Sequence, residues 1–371
     1  MAFKDIALVV LPRLIALSKK KKGIKEKTTI LTATSGDTGG AALSGFSGIE
    51  GIDVYVMYPN NGVSPIQERQ MLNFVSDNAH VIALEGNFDD CQTFVKEFFL
   101  ENKDLNLSSA NSINIGRLVP QIVYYFYSYI YLVNQGKIKL GDKINFTVPT
   151  GNFGNIFAGF YAMKMGIPIN KLICASNKNK VLTDYFKTGT YNRLREFYKT
   201  NSPSMDILIS SNLERMLYYA CGENELKVKE LMDALKNDGS YEFSNPFDIF
   251  YASYATEDDT YEMIKKMYKE NNYVLDPHTA VAYKACLDYK NESNDGLMNV
   301  VVSTASPFKF PQAVLKGLEI ENNLQELEQV KLLSKSCNLE IPSVLNFKEN
   351  EKNVWKKEGA KEALREAILN A

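Results

Sequence analysis

The chain has 371 residues, 45% of them hydrophobic and 23% charged, with 42 Lys and Arg against 44 Asp and Glu and a net charge of −2. That apolar content excludes a disordered chain, and the even balance of charge excludes a general nucleic-acid or membrane-surface binder, which carries a basic excess. Five scattered cysteines (Cys91, Cys174, Cys221, Cys286 and Cys337) without a CxxC pair, and only two histidines, His80 and His278, argue against a disulfide framework, a zinc site or any other metal site, and fit a reducing cytoplasm.

Ile6 to Leu17 is apolar but is interrupted by Pro12 and Arg13 and is too short to cross a bilayer, as is the tyrosine-rich run Val119 to Val133. Both fall below the roughly 20 residues that a spanning helix needs and read as buried helices. The lysines from Lys19 to Lys22 read as a solvated helix end, where cations favour the negative pole of the helix dipole. Thr28 to Thr34 is a predicted buried strand, followed by a helix from Ala41. Asp53 to Tyr58 is a second strand, after which Ser64-Pro65 opens a helix with serine as N-cap and proline in the first position. His80 to Leu84 is a third strand, and Asp89 to Glu101 an amphipathic helix carrying Phe94, Val95, Phe98 and Phe99 on its apolar side. A long helix from Gly116 to about Val133 comes next, then a strand over Lys143 to Val148, a glycine-rich turn and a helix to about Met165. Leu172 to Ala175 reads as a strand, Leu182 to Phe186 as a short helix, Asn212 to Glu270 as mainly helical, Val300 to Thr304 as a strand, and Lys356 to Leu369 as a helix packed on the outside. Strands alternating with helices imply an α/β fold with a largely parallel sheet. The expected division is a helix over 1–25 packed on the large domain, a small α/β domain over 26–115, and a large α/β domain over 116–371 with a helical C-terminal part.

Open parallel sheets place ligands at the carboxyl ends of their strands, and loops of unusual composition fall at such ends. Thr34-Ser35-Gly36-Asp37-Thr38-Gly39 sets hydroxyls and glycine at a helix start, where backbone N–H groups can receive an anion. The plain alternative is a capped turn. Thr150-Gly151-Asn152-Phe153-Gly154-Asn155 matches neither the dinucleotide nor the nucleoside-triphosphate signature, yet its glycines let the backbone approach a phosphate. Ser109 to Arg117 alternates amides and hydroxyls with apolar residues and ends in a guanidinium suited to phosphate or carboxylate. Ser303-Thr304-Ala305-Ser306 puts hydroxyls at a strand end, where one could partner a ring nitrogen. Lys4, before an apolar helix, reads as an ordinary terminal lysine unless desolvation drives it toward the Schiff-base-forming neutral amine.

Taken together, these segments resemble threonine synthase, a pyridoxal-phosphate enzyme of fold type II related to the tryptophan synthase β-subunit. The matching stretches are Ala2-Phe3-Lys4-Asp5, Ala33 to Gly39, Tyr58-Pro59 with Ser64 to Met71, Gly86 to Gln92, Ser109 to Arg117 with Pro120-Gln121, Gly151 to Asn155, Asp276 to Ala282, and Ser303-Thr304-Ala305 with Lys309-Phe310-Pro311. The resemblance implies two open, largely parallel α/β layers with the cofactor site between them, in a form lacking the family's N-terminal region. It implies pyridoxal 5'-phosphate as cofactor, Lys4 as the catalytic lysine that holds it covalently, and Phe3 beside its ring. Gly151, Asn152, Phe153, Gly154 and Asn155 would hold its phosphate, and Thr304 would partner the pyridine nitrogen. Thr34, Ser35, Thr38, Asn111, Ser112 and Arg117 would receive the phosphate and carboxylate of the substrate. The implied reaction turns O-phospho-L-homoserine and water into L-threonine and phosphate, in a cytoplasmic monomer or homodimer with no nucleic-acid or membrane partner. Two alternatives stand beside it: a phospholyase of the same fold, yielding an oxo acid, ammonia and phosphate, and a truncated remnant without catalysis. Ser306 stands where some members have His, and His278 is expected to support a helix rather than act as a base.

Overall fold

Strands that read as unbroken apolar runs are covered on both faces, as parallel sheets are. The computed structural model has two such sheets and describes residues 2–34, 36–244, 246–345 and 350–371, the side chain of Asp89 excepted. In chain order the first elements are α1 (Phe3–Lys22), β1 (Thr28–Ala33), α2 (Asp37–Phe46), β2 (Ile52–Pro59), α3 (Pro65–Leu72), β3 (Ala79–Leu84), α4 (Phe88–Glu101), β4 (Leu107–Ser108) and α5 (Ile115–Leu118). Next come α6 (Ile122–Asn134), β5 (Ile144–Pro149), α7 (Gly154–Lys164), β6 (Ile169–Ser176), α8 (Val181–Thr188), β7 (Thr190–Asn192), α9 (Leu213–Ala220), α10 (Glu225–Asn237), β8 (Ser240–Glu242), β9 (Phe250–Tyr254), α11 (Glu257–Asn271), α12 (Pro277–Ser293), β10 (Met298–Val301) and α13 (Pro311–Gly317). The chain closes with α14 (Glu326–Cys337), β11 (Asn353–Trp355) and α15 (Ala360–Asn370).

Two units result, one of residues 1–120 and 325–371, the other of 121–324. The first holds a five-stranded sheet in the order β11-β3-β2-β1-β4, and every pairing is parallel. Its side chains alternate between two cores, as the period of two demands. Ile30, Val54, Val56, Tyr58, Val81 and Ala83 face α1 and α2, and Leu31, Ala33, Tyr55, Met57, Ile82 and Leu84 face α4 and α15. The second unit holds a four-stranded parallel sheet, β10-β5-β6-β9, and an antiparallel pair, β7-β8. There α12 covers one face with Val281, Ala282, Ala285 and Tyr289, packed with Ile173 and Ala175. Tyr125 of α6 packs edge-on against Phe146 of β5, with ring centroids 4.8 Å apart.

Several expectations are corrected. Helix α1, expected with the large domain, belongs to the first unit. Leu8 and Leu11 lie in the core of the first unit, against the alanines of α2. The chain after Leu324 likewise belongs to the first unit, because β11 pairs with β3 and α15 buries Ala360 and Leu364 beside α4. Thus α15 forms part of a sheet-covering layer. The expected long helix after Gly116 is broken into α5, a 3-10 turn at Val119–Gln121 and α6, where Pro120 has no N–H to donate and its ring crowds the preceding turn. Within the stretch read as mainly helical with irregular stretches, β8 and the sheet strand β9 also form.

Candidate active site

In the first unit the candidate residues gather at the carboxyl ends of neighbouring strands. β1 and β4 run parallel with Ile30 opposite Ser108, so the loops beginning at Thr34 and Ser109 leave the sheet side by side. The Asn111 amide ties them together, donating to the Ala33 carbonyl at 3.2 Å while its oxygen accepts from the Ser109 hydroxyl at 3.0 Å. Thr34 is buried, and its hydroxyl oxygen accepts from the N–H groups of both Gly36 and Gly39 at 2.9 Å. Its first duty is therefore to cap α2, and those two amides are not open to an anion. Thr38, on the first turn of α2, is half-buried, and its hydroxyl bonds to no other described residue. Ser35 lies outside the described residues. Gly36 has φ +137° with the mobile end of the Gln67 side chain beside it, so it is the backbone that requires glycine here.

Lys4 sits in the first turn of α1, with its Nζ 3.4 Å from Oδ2 of Asp37. The two side chains are 12% and 5% exposed. The Gln67 amide donates to the other carboxylate oxygen at 3.5 Å. Lys4 is thus an oriented cation, held where α1 crosses α2, and Phe3 lies beside it with its ring centroid 5.6 Å from Nζ. The crossing is close: a Cβ on Gly45 would stand 1.9 Å from the carbonyl oxygen of Leu8. Arg117 is buried, and its guanidinium donates to the Ala110 carbonyl. Ser112 is half-buried in the loop that precedes α5.

In the second unit, β5 and β10 pair with Thr147 opposite Val301. Thr150 and Thr304 are each three residues further on, which puts the glycine-rich loop and the Thr304 loop at adjacent strand ends. The loop's carbonyls are tied back from behind. Ser210 donates its hydroxyl to the Gly151 carbonyl at 2.8 Å, and Asn212 donates both its backbone and its side-chain N–H to the Asn152 carbonyl at 3.0 Å. The Ser211 hydroxyl reaches Oδ1 of Asn152 at 3.2 Å. Phe153 adopts a left-handed conformation, φ +61°, and among the described residues no side chain caps α7 behind it. Four N–H groups at a helix start have no intrahelical acceptor, so this arrangement leaves a donor-rich turn with a positive dipole end. The Phe153 ring itself points away into the core, stacked on Phe186 at 5.8 Å and against Phe250 at 5.5 Å. Its place in the loop is therefore through its backbone, with the ring anchoring a strained conformation.

Asn155 supplies the sharpest local signal. Its Oδ1 accepts from the phenols of Tyr124 and Tyr125, the latter at 2.9 Å, while its buried Nδ2 donates to no described residue. Burial raises the Tyr125 phenol well above its usual pKa, which keeps it a donor. A buried donor without an acceptor costs about 1–3 kcal/mol, and an oxygen-rich ligand would remove that cost. A tied-back loop, an uncapped helix start and an orphaned amide fit a phosphorylated cofactor.

Thr304 is buried, and its N–H donates to Oγ1 of Thr279 at 3.3 Å. Thr279 in turn donates to the Asp276 carboxylate, which caps α12. The other Asp276 oxygen lies 3.1 Å from Nδ1 of His278, whose Nε2 accepts the Ser204 N–H at 3.2 Å. An Nε2 that accepts carries no proton, so the ring is the Nδ1–H tautomer and acts as a bracket between Asp276 and the Ser204 N–H. Ser306 caps a 3-10 turn, its oxygen accepting from the Phe308 N–H at 3.4 Å. Sequence reasoning missed Ser210, Ser211, Asn212, Tyr124 and Tyr125, because their spacing from the loop carries no periodic signal. Asp37 and Gln67 fell inside quoted motifs without an assigned role.

The pyridoxal-phosphate dependent enzyme family matches residues 1–305, and the threonine synthase C-terminal family matches 279–340. The threonine synthase of Pseudomonas aeruginosa is 40% identical over 325 residues, an overlap of 85% of this chain and 67% of that protein. The chain belongs to the threonine synthase family. The Saccharomyces cerevisiae threonine synthase is 37% identical, with 90% of this chain and 71% of that protein covered. The crystal structure of the pyridoxal-phosphate-bound threonine synthase of Brucella melitensis superposes with a TM-score of 0.85 at 38% identity, covering all of this chain and 76% of that one. The yeast threonine synthase structure gives 0.87 at 34% identity over the same shares. The fold is therefore that of a fold type II threonine synthase, the cofactor is pyridoxal 5'-phosphate, and the chain is a pyridoxal-phosphate-dependent lyase acting on a small-molecule substrate. Among the described residues no helix is long and apolar enough to cross a membrane.

Proposed function

We propose that this chain performs the threonine synthase reaction on O-phospho-L-homoserine through the residues described above. Phosphate leaves from the γ carbon, water adds at the β carbon, and L-threonine and inorganic phosphate are the products. When bound, pyridoxal phosphate supplies an electron sink for the carbanions at the α and β carbons. Gly151, Asn152, Phe153, Gly154 and Asn155 would hold its phosphate through backbone N–H groups and Nδ2 of Asn155, the Thr304 hydroxyl would be the neutral partner of its ring nitrogen, and Phe3 would serve its ring.

Lys4 would hold the cofactor covalently, and its free Nζ would carry protons among the α, β and γ carbons of the substrate. The Asp37 carboxylate holds the protonated amine in place between transfers. Arg117, Thr38, Ser112 and Ser35 receive the substrate's phosphate and carboxylate, while Thr34 and Asn111 shape the loops that carry them. The observation that carries this reading is the Lys4–Asp37 pair, because a partly buried, oriented amine is what proton shuttling requires and what an ordinary surface lysine lacks. The setting is cytoplasmic, in keeping with five free cysteines, four of them buried, in a monomer or homodimer without a nucleic-acid partner.

The test is product analysis. The purified chain, supplied with pyridoxal phosphate and O-phospho-L-homoserine, releases equal amounts of phosphate and L-threonine. Release of phosphate with 2-oxobutyrate and ammonia would replace this reading with the phospholyase, and no phosphate release would leave the remnant.

A further inference from the structure

The bracket formed by Asp276, His278 and Thr279 spans the two ends of the proposed cofactor seat, and this inference rests on that assignment. On one side, Thr279 Oγ1 accepts the Thr304 N–H and donates its own O–H to the Asp276 carboxylate. On the other, the His278 Nε2 fixes the Ser204 N–H at 3.2 Å. The carbonyl oxygen of Ser204 lies 2.7 Å from the position a Cβ on Gly151 would take, and Cα of Met205 lies 3.2 Å from it. The 204–205 backbone is thus the floor beneath the first glycine of the phosphate loop. A second anchor holds the same segment: the Asp206 carboxylate accepts from the Thr200 N–H and from the amides of Asn177 and Asn179, at 2.8, 2.8 and 3.0 Å.

Asp276 and His278 are almost fully buried. Capping α12 needs only the carboxylate of Asp276, which already receives the N–H groups of His278 and Thr279. An imidazole is not needed for that task. What it adds is reach, an acceptor beyond the helix end, directed at the loop floor.

We propose that His278 is a positioning residue for the cofactor phosphate, setting the floor of the Gly151–Asn155 loop through Ser204 and coupling it through Asp276 and Thr279 to the seat of Thr304. The requirement is for an acceptor at the Nε2 position. His278→Gln can keep an acceptor there, His278→Asn keeps only a donor toward Asp276, and His278→Leu keeps neither.

The experiment measures pyridoxal-phosphate affinity, the phosphorus NMR resonance of the bound cofactor and thermal unfolding of the cofactor-free chain, for these three variants and for Gly151→Ala. The expected result is that Asn and Leu raise the cofactor dissociation constant about tenfold, the size of one lost hydrogen bond. Both should move the phosphorus resonance, while Gln stays within about twofold of the parent. Equal losses for all three would overturn the proposal and reduce His278 to packing, as would wild-type affinity and resonance for Asn and Leu. Gly151→Ala separates the two levels. If it leaves the phosphorus resonance unmoved, the assignment of the phosphate loop fails. If it moves the resonance and the His278 variants do not, that assignment stands and the inference about His278 fails.

Discussion

Substituting Gly45 with alanine strikes at the structural support of Lys4 without touching the lysine. The new Cβ would lie 1.9 Å from the Leu8 carbonyl oxygen and 2.6 Å from its carbon, against ordinary contact from 3.4 Å. The obstacle is backbone on a 20-residue helix, so no rotamer relieves it, and α1 must move by about 1.5 Å away from α2. Overpacking of this kind costs about 1–3 kcal/mol, which lowers the melting temperature by several degrees. The Lys4 amine travels with α1, away from Asp37, and a displacement near 1 Å at a reacting group costs about 100-fold in rate. Gly48→Ala is the control. Its φ of +73° makes alanine strained there, but no atom lies within 4 Å, so it costs about 1–2 kcal/mol and leaves α1 where it is. The assay pairs thermal unfolding with the rate at which borohydride traps the cofactor on Lys4. Gly45→Ala should lose trapping far more than Gly48→Ala at comparable loss of stability. Wild-type trapping and melting in Gly45→Ala would refute the α1–α2 contact and the support it gives to Lys4.

Other expectations follow from the same geometry. Asp37→Asn removes the carboxylate beside Lys4 and should lower kcat about tenfold or more with little change in KM, as steady-state kinetics would show; a rise in KM alone would contradict a role in proton transfer. Tyr125→Phe deletes the phenol that donates to the Asn155 backbone carbonyl at 2.8 Å, and should cost about 1–3 kcal/mol of stability in a chemical denaturation series and weaken cofactor binding in a titration. Burial holds His80, stacked on Tyr55 at 4.4 Å, below its usual value of 6.5, with Asp53 opposing the shift and Lys27 adding to it. The folded chain therefore binds fewer protons there than the unfolded one, so this part of the stability is complete above about pH 6.5 and is lost as pH falls through that value toward the lower folded one. His80→Phe should flatten the decline in melting temperature between about pH 7.5 and pH 5, and an unchanged slope would sink the assignment.

Local chemistry made part of this molecule readable. Thr28 to Thr34 and Asp53 to Tyr58 were readable as strands because their β-branched, aliphatic and aromatic residues suit a sheet covered on both faces, and Ser64-Pro65 announced α3 through a cap that the structure forms, with the Ser64 hydroxyl oxygen accepting from the Gln67 N–H. The return of residues 325–371 to the first unit was not legible. β11 is three residues long and lies at a sheet edge, too short for any periodicity to register. Phe153 shows the same limit at the candidate site. Its place in the motif was visible, but the inward turn of its ring follows from the aromatic cluster of Phe157, Phe186 and Phe250, which only the fold assembles. Thr34 looked like a ligand group and is first a cap, because the nearest unsatisfied donors to a threonine before a helix are that helix's own amides.

The central claim is that Lys4, oriented by Asp37, is the lysine that carries the cofactor. The direct measurement is borohydride reduction of the chain loaded with pyridoxal phosphate, followed by peptide mapping. The account predicts a visible absorption band before reduction and a single modified lysine, at position 4, after it. Modification at the buried Lys309, or scattered over exposed lysines with no absorption band, would contradict it.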